Sequence, residues 1–209
     1  DNWAEVAQKN YNKDLPKIQF KNIDHIVFAG VGGSGTVGDV ISSILSKKNI
    51  HTNVVKGYLL PKTVDSNTLI VTTSVSGNSK EILTVLQNAK KSKGKLLAFS
   101  SGGNMKKYSV KNKISYYQIP EIHSPRASFS GYVYSILNVL EDVIPVKKRD
   151  VKESIDQLVK TKKKISSNNL TNSNPALSLA KWISHFPIIY YPSGLHSAAI
   201  RFKNSLQEN

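Results

Sequence analysis

Apolar residues fall into short unbroken runs, separated by stretches rich in glycine and serine. Ile26-Val27-Phe28-Ala29 is the first such run, and Gly30-Val31-Gly32-Gly33-Ser34-Gly35 follows it directly. A short continuous run, without polar alternation, reads as a strand covered on both faces. A helical pattern then extends from Val37 to Leu45. The unit recurs along the chain. Asn53-Val54-Val55 is a second strand. Leu69-Ile70-Val71-Thr72-Thr73 is a third, leading into Ser74-Val75-Ser76-Gly77-Asn78-Ser79 and a helix with Ile82, Leu83, Val85, Leu86 and Ala89. Lys95-Leu96-Leu97-Ala98-Phe99 is a fourth, ending in Ser100-Ser101-Gly102-Gly103, and Ser115 to Ile119 is a fifth. Strands alternating with helices at this spacing predict an α/β fold, a five-stranded parallel sheet flanked by helices on both faces. Ligands of such sheets bind at the carboxyl ends of the strands, where these Gly/Ser loops lie.

The flanks are less regular. Residues 1–22 read as an opening helix and a loop, with apolar residues at Trp3, Val6, Leu15, Ile18 and Phe20. Beyond Pro125-Arg126-Ala127-Ser128, the run from Phe129 to Val143 predicts a long apolar helix. Residues 145–174 read as a basic, polar helix followed by an Asn/Ser-rich loop. Pro175 is placed to open a helix capped by Asn174. Pro187-Ile188-Ile189-Tyr190-Tyr191 predicts another buried strand, then a turn, Pro192-Ser193-Gly194-Leu195-His196, and a helix from Ser197 to Leu206. One strand cannot make a sheet. The expected organisation is therefore a first domain over 1–146, a basic helical linker over 147–174, and the start of a second, truncated domain over 175–209. The opening Asp1-Asn2-Trp3 shows neither an initiator Met nor a signal-peptide pattern, so the true first residues are expected to be missing.

Composition narrows the chemistry. The 209 residues are 39% hydrophobic and include no cysteine, which excludes disulfides and thiolate metal sites. No run is long and apolar enough to span a membrane. The formal charge is +15, from 29 basic and 14 acidic residues, with basic runs at Lys147-Lys148-Arg149 and at Lys160, Lys162, Lys163 and Lys164. Nucleic-acid binding would need a reading element around such a patch. No aromatic residue is interleaved there, so the charge reads as a solvated helix face or as a field that steers anionic metabolites.

Two loops carry candidate chemistry. Gly30-x-Gly32-x-x-Gly35 after a strand lets backbone approach an anion at a helix N-terminus. A dinucleotide site would also want an acid at the end of the second strand, and Val54-Val55-Lys56-Gly57 offers none. Ser74-x-Ser76-Gly77-Asn78-Ser79 is more informative. Helix capping needs one hydroxyl; three around a glycine can converge on a small anion without a metal.

Gly32-Gly33-Ser34-Gly35, Ser74-x-Ser76-Gly77-Asn78-Ser79 and Ser101-Gly102-Gly103, in this order, resemble the sugar-isomerase (SIS) fold. Pro125-Arg126-Ala127-Ser128, and Arg201-Phe202-Lys203 running to Glu208-Asn209, resemble segments of bifunctional phosphoglucose/phosphomannose isomerases. The resemblance implies an SIS domain followed by the start of a second SIS lobe. It implies an aldose–ketose isomerase acting between glucose 6-phosphate or mannose 6-phosphate and fructose 6-phosphate through a cis-enediol. Ser34, Ser74, Ser76 and Ser79 then match the sugar-phosphate contacts, with Ser79 where Thr is more usual. Gly32 and Gly33 match the loop beside the sugar, Arg126 the arginine that steadies the negative intermediate, and Glu208 the catalytic base. The family's ring-opening histidine and a further lysine lie beyond the Glu208-Asn209 pair. His196 does not match that histidine by motif position, and His25, His51, His123 and His185 read as structural or surface residues. No cofactor or metal is expected, nor a nucleic-acid or membrane partner. A cytoplasmic homodimer is. The alternatives are a non-catalytic sugar-phosphate-binding module on the same fold, another phosphosugar isomerase, and a nucleotide-dependent oxidoreductase, which Lys56 disfavours.

Overall fold

The computed structural model describes residues 2–192 and 194–207. Helix α1 (Trp3–Tyr11) precedes strand β1 (His25–Ala29), helix α2 (Gly33–Leu45) and strand β2 (His51–Val55). Strand β3 (Thr68–Ser74), helix α3 (Lys80–Lys90), strand β4 (Lys95–Ser100), helix α4 (Gly103–Lys111) and strand β5 (Ser115–Gln118) follow. Four further helices follow among the described residues: α5 (Phe129–Val139), α6 (Lys148–Ile165), α7 (Pro175–Trp182) and α8 (His196–Gln207). The strands form one all-parallel sheet in the order β2-β1-β3-β4-β5. The class and the five strands expected from the sequence are thus present. Helix α4 was not anticipated, because Gly103–Lys111 has only Met105 and Ser109 to bury.

Period-two alternation divides the core. Ile26, Phe28, Leu69, Val71, Leu97, Phe99 and Tyr117 face one way and pack with Val37, Ile41 and Leu45 of α2 and with Tyr132, Val133, Ile136 and Leu140. Ala29 and Ala98 face the other way, against Ile82, Val85 and Leu86 of α3 and Met105 of α4. Central β3 is buried at all seven positions, which is why its sequence is unbroken. The edge strand β2 is partly exposed throughout.

Helix α5 ends at Val139 rather than Val143. Its final turn is tied off by residues from the N-terminal segment. Lys17 donates to the Asn138 carbonyl at 2.7 Å and also to its side-chain oxygen, while Asn138 Nδ2 donates to the Lys13 carbonyl at 2.8 Å. Helix α6 carries the basic run, with only Val151 and Ile155 buried. The Asn174 side chain accepts from the amides of Ala176 and Leu177 at 3.0 and 3.2 Å, the expected cap of α7.

One expectation is overturned. Residues 187–191 form no strand, and Ile188 and Tyr190 are 77% and 89% exposed. A strand needs neighbouring backbone to take up its N–H and C=O groups, and the sheet contains only β1 to β5. The helix after this segment does form. As α8 it packs against α2.

Candidate functional site

The strand order reverses direction between β1 and β3. Chain passes from β1 outward to β2, then back across to β3. The crevice at such a switch point is where ligands of open α/β sheets bind. The loops emerging there are Gly30–Gly35 and Ser74–Ser79. Ser34 and Ser74 are buried, Ser79 and Gly33 half-buried, and Ser76 and Gly32 exposed.

Hydrogen bonds join the two loops and shape the second. Ser34 Oγ accepts from the Val75 amide at 3.3 Å, tying the start of α2 to the end of β3. Ser74 Oγ accepts from the Gly77 amide at 3.1 Å and shares a hydrogen bond with Ser79 Oγ at 3.1 Å. Ser76 Oγ accepts from the Asn78 amide at 3.2 Å. Ser34 and Ser74 therefore organise the cradle from beneath, and Ser76 stands at its open side. Ser79 occupies the N-cap position of α3, yet its side chain makes no capping hydrogen bond. Helix α2, with Gly32 at its N-cap, also has no side-chain cap, whereas Asn78 Oδ1 accepts from the first turn of α4. Two helix N-termini with backbone donors left by helix geometry, those of α2 and α3, thus follow β1 and β3, which are adjacent in the sheet.

The third loop buttresses the second backbone to backbone. The Ser101 amide donates to the Val75 carbonyl at 2.9 Å, the Met105 amide to the Gly77 carbonyl at 2.9 Å, and the Asn104 amide to Asn78 Oδ1 at 3.0 Å. Gly77, at φ +70°, is required there, because a Cβ would lie 2.0 Å from the Gly102 carbonyl oxygen. Tyr116 OH donates to the Ser100 carbonyl at 3.0 Å, and burial raises its phenol pKa. Burial pushes the Tyr132 phenol up much further. Both are donors throughout the neutral range, and Tyr132 OH reaches the Ile119 carbonyl at 3.2 Å, holding the exit of β5.

Arg126 stands exposed on the loop after β5. Its connection to the glycine loop runs through Arg201 of α8. Arg201 Nη2 donates to the Arg126 carbonyl at 3.3 Å, and Nη1 lies 3.9 Å from where a Cβ on Gly33 would be. The guanidinium of Arg201 also lies over the rings of Phe129 and Trp3, at 4.9 and 5.7 Å from their centroids. A cavity of about 370 Å³ opens here, lined by Trp3, His123, Ser124, Arg126, Arg201 and Ser205 among others. The structure thus gathers Gly33 and Arg126 around Arg201, and Ser34, Ser74, Ser76, Gly77 and Ser79 around one cradle. Glu208 lies outside the described residues.

Sequence reasoning gave no individual role to Arg201, Asn78 or Trp3. Arg201 was visible only as the first letter of a motif. Trp3 sits in a polar stretch with no periodicity to mark it. Of the histidines, His25 is buried and structural, contacting Thr68 Oγ1 at 3.2 Å and Asn53 Oδ1 at 2.7 Å. Lys56, where a dinucleotide fold would want an acid, instead pairs with buried Asp39 at 2.7 Å. Among the described residues no group of three or more His, Cys, Asp or Glu could hold a metal ion, and no helix is long and apolar enough to cross a membrane.

Residues 19–140 match the SIS domain. Over its full length the chain is 32% identical to the bifunctional phosphoglucose/phosphomannose isomerase of Caldicellulosiruptor bescii, of which it spans 64%. It is 26% identical to the D-glucosamine-6-phosphate 4-epimerase of Sulfolobus acidocaldarius, again spanning 64% of that protein. The fold is that of the C-terminal domain of glucosamine-fructose-6-phosphate aminotransferase from Francisella tularensis, with a TM-score of 0.68 at 14% identity over 99% of this chain and 64% of that one. The chain therefore spans less than two thirds of the length of these curated relatives.

Proposed function

Because the chain belongs to the SIS-domain family, we propose that it supplies the sugar-phosphate site of an isomerase that interconverts glucose 6-phosphate or mannose 6-phosphate with fructose 6-phosphate. One observation carries this reading: the serine-lined cradle at the sheet's switch point, with the uncapped N-terminus of α3 behind it. Its donors suit a phosphate monoester. Ser76, exposed at the mouth, is the hydroxyl best placed to meet it, and Ser34, Ser74 and Ser79 fix the loop that presents the backbone amides. Gly32 and Gly33 leave room for the sugar beside them.

The remaining steps follow from what aldose–ketose isomerisation needs. A carboxylate removes the proton from C2 and returns it to C1, while the hydroxyl proton of O2 is exchanged for one on O1. Glu208 is assigned that role on its motif position. A fixed cation stabilises the enediolate oxygen that develops between the two transfers, and Arg126 is assigned that role. Phosphate binding holds C1 and C2 against both groups. Glucose and mannose phosphates share one enediol, so a site tolerant at C2 serves both. The reading carries with it the division at 146/147 and 174/175, a second lobe completing the site, and a homodimer, which sedimentation of the full-length protein measures. The exposed α7, which buries no residue, supports the division.

The test is calorimetric titration of the full-length protein with fructose 6-phosphate and with fructose, followed by a C2 proton-exchange assay of wild type and Glu208→Gln. Binding of the ester alone, with exchange lost in the variant, supports the proposal. Exchange retained by Glu208→Gln removes Glu208 as the base. The similarity to a glucosamine-6-phosphate epimerase favours one other reading, a site for an amino-sugar phosphate. Tighter binding of glucosamine 6-phosphate than of fructose 6-phosphate would select it.

A further inference from the structure

We infer that Arg201 is a positioning residue, whose side chain clasps the Arg126 loop to the start of α1, beside the glycine loop. The inference rests on the role proposed for Arg126, but its geometry is independent of that role. Three segments distant in sequence come together around this one guanidinium. Nη2 donates to the Arg126 carbonyl at 3.3 Å. The guanidinium carbon lies over Phe129, in the first turn of α5, at 4.9 Å, and over Trp3, in the first turn of α1, at 5.7 Å. Trp3 and Phe129 contact each other at 5.5 Å, so the two rings form a joint surface for the cation. Nη1 approaches Gly33, where any side chain would meet it.

An arginine suits this place for reasons that lysine cannot match. Its flat, delocalised cation stacks on aromatic faces while its edge still donates hydrogen bonds. A lysine ammonium could satisfy the carbonyl or sit over a ring, but it has no plane with which to span both. The loop it holds also carries hydrogen bonds of its own. Ser128 Oγ accepts from the Ile122 amide at 2.9 Å and donates to the Ser124 carbonyl at 3.0 Å, and Ser124 Oγ accepts from the Ala127 amide at 3.2 Å. All of these close the loop on itself. The Arg201 bond ties it outward, to α8. Loss of that tie frees the loop to move as a unit and takes the Arg126 guanidinium with it.

The experiment compares wild type, Arg201→Lys and Arg201→Met in the full-length protein by two readouts. The first, hydrogen exchange at residues 122–128, needs no substrate. The clasp predicts exchange faster by about 10-fold or more in Arg201→Met, with intermediate protection in Arg201→Lys. Unchanged exchange in both variants overturns the inference. The second is fructose 6-phosphate turnover. Displacing a group from its productive position predicts a fall in kcat of about 10- to 100-fold, with KM within about two-fold because the serine cradle is untouched. In an Arg126→Ala background, Arg201→Lys should then lower kcat no further. Effects that multiply would show Arg201 acting by itself, and would also overturn the inference. Faster exchange in a protein whose wild type turns over no hexose phosphate would leave the clasp standing and instead refute the isomerase reading.

Discussion

Gly77→Ala tests whether the β3–α3 and β4–α4 loops pack as closely as their backbone contacts require. Gly77 adopts φ +70°, a conformation that costs an alanine about 1–2 kcal/mol. Its Cβ would lie 2.0 Å from the oxygen and 2.9 Å from the carbon of the Gly102 carbonyl. These are backbone atoms, so no side-chain rotation relieves the overlap and the loops must part. Forcing extra volume into a packed region adds about 1–3 kcal/mol, giving an expected loss of about 2–5 kcal/mol. For a domain of this size each kcal/mol lowers the midpoint by about 2–4 °C, so a fall of about 4–20 °C is expected. Thermal unfolding and urea titration measure it. The separation would also weaken the bonds from the Ser101 amide to the Val75 carbonyl and from the Met105 amide to the Gly77 carbonyl, both 2.9 Å, so phosphate-ester affinity should fall as well. Gly57→Ala is the control. Its added methyl meets nothing within 4 Å, and its effect should stay within about 0.5 kcal/mol. A Gly77→Ala protein as stable as this control would refute the reasoning and, with it, the packed arrangement of the cradle.

Three further outcomes are expected. Ser76→Ala should weaken fructose 6-phosphate binding by about 10-fold, the loss of one hydrogen bond to a charged group, while changing unfolding free energy by less than about 0.5 kcal/mol; calorimetry and urea titration read the two. Lys56→Met leaves the Asp39 carboxylate buried without its 2.7 Å partner and should cost about 1–2 kcal/mol, a figure reduced because Lys56 remains in contact with solvent; adding Asp39→Asn should recover part of it. Asp65 has its pKa lowered from 3.8, chiefly by the hydrogen bond from the Thr68 hydroxyl and then by that from the Asn67 amide. A carboxyl with a depressed folded-state pKa contributes stability above its unfolded value and loses it as pH falls through the folded one. Wild type should therefore lose its advantage over Asp65→Asn on acidification below about pH 4, which urea titrations across that range would show.

What the sequence made legible was whatever one strand–loop–helix unit determines by itself. The buried run of β3 and the hydroxyls after it placed a cradle before any strand order was known, because a parallel strand covered on both faces has to deliver its following loop to the sheet's carboxyl edge. The Asn174 cap was legible for the same reason, since the acceptor and the amides it serves are neighbours in the chain. Pro187 to Tyr191 shows the limit of local pattern. The residues have strand character, but a strand exists only where another backbone completes it, and none of the five strands lies beside them. Arg201 shows the converse. Nothing local distinguishes it from Lys203 two positions later, and its place is set by Trp3, Arg126 and Phe129, brought together from two other parts of the chain. The two halves of the site thus differ in kind: the serines of the cradle lie within single strand–loop–helix units, whereas the setting of Arg126 arises only when α8 packs on α2 and brings Arg201 beside it. Substitutions in the cradle should accordingly act on affinity for the phosphate ester, and those around Arg201 on the rate of turnover.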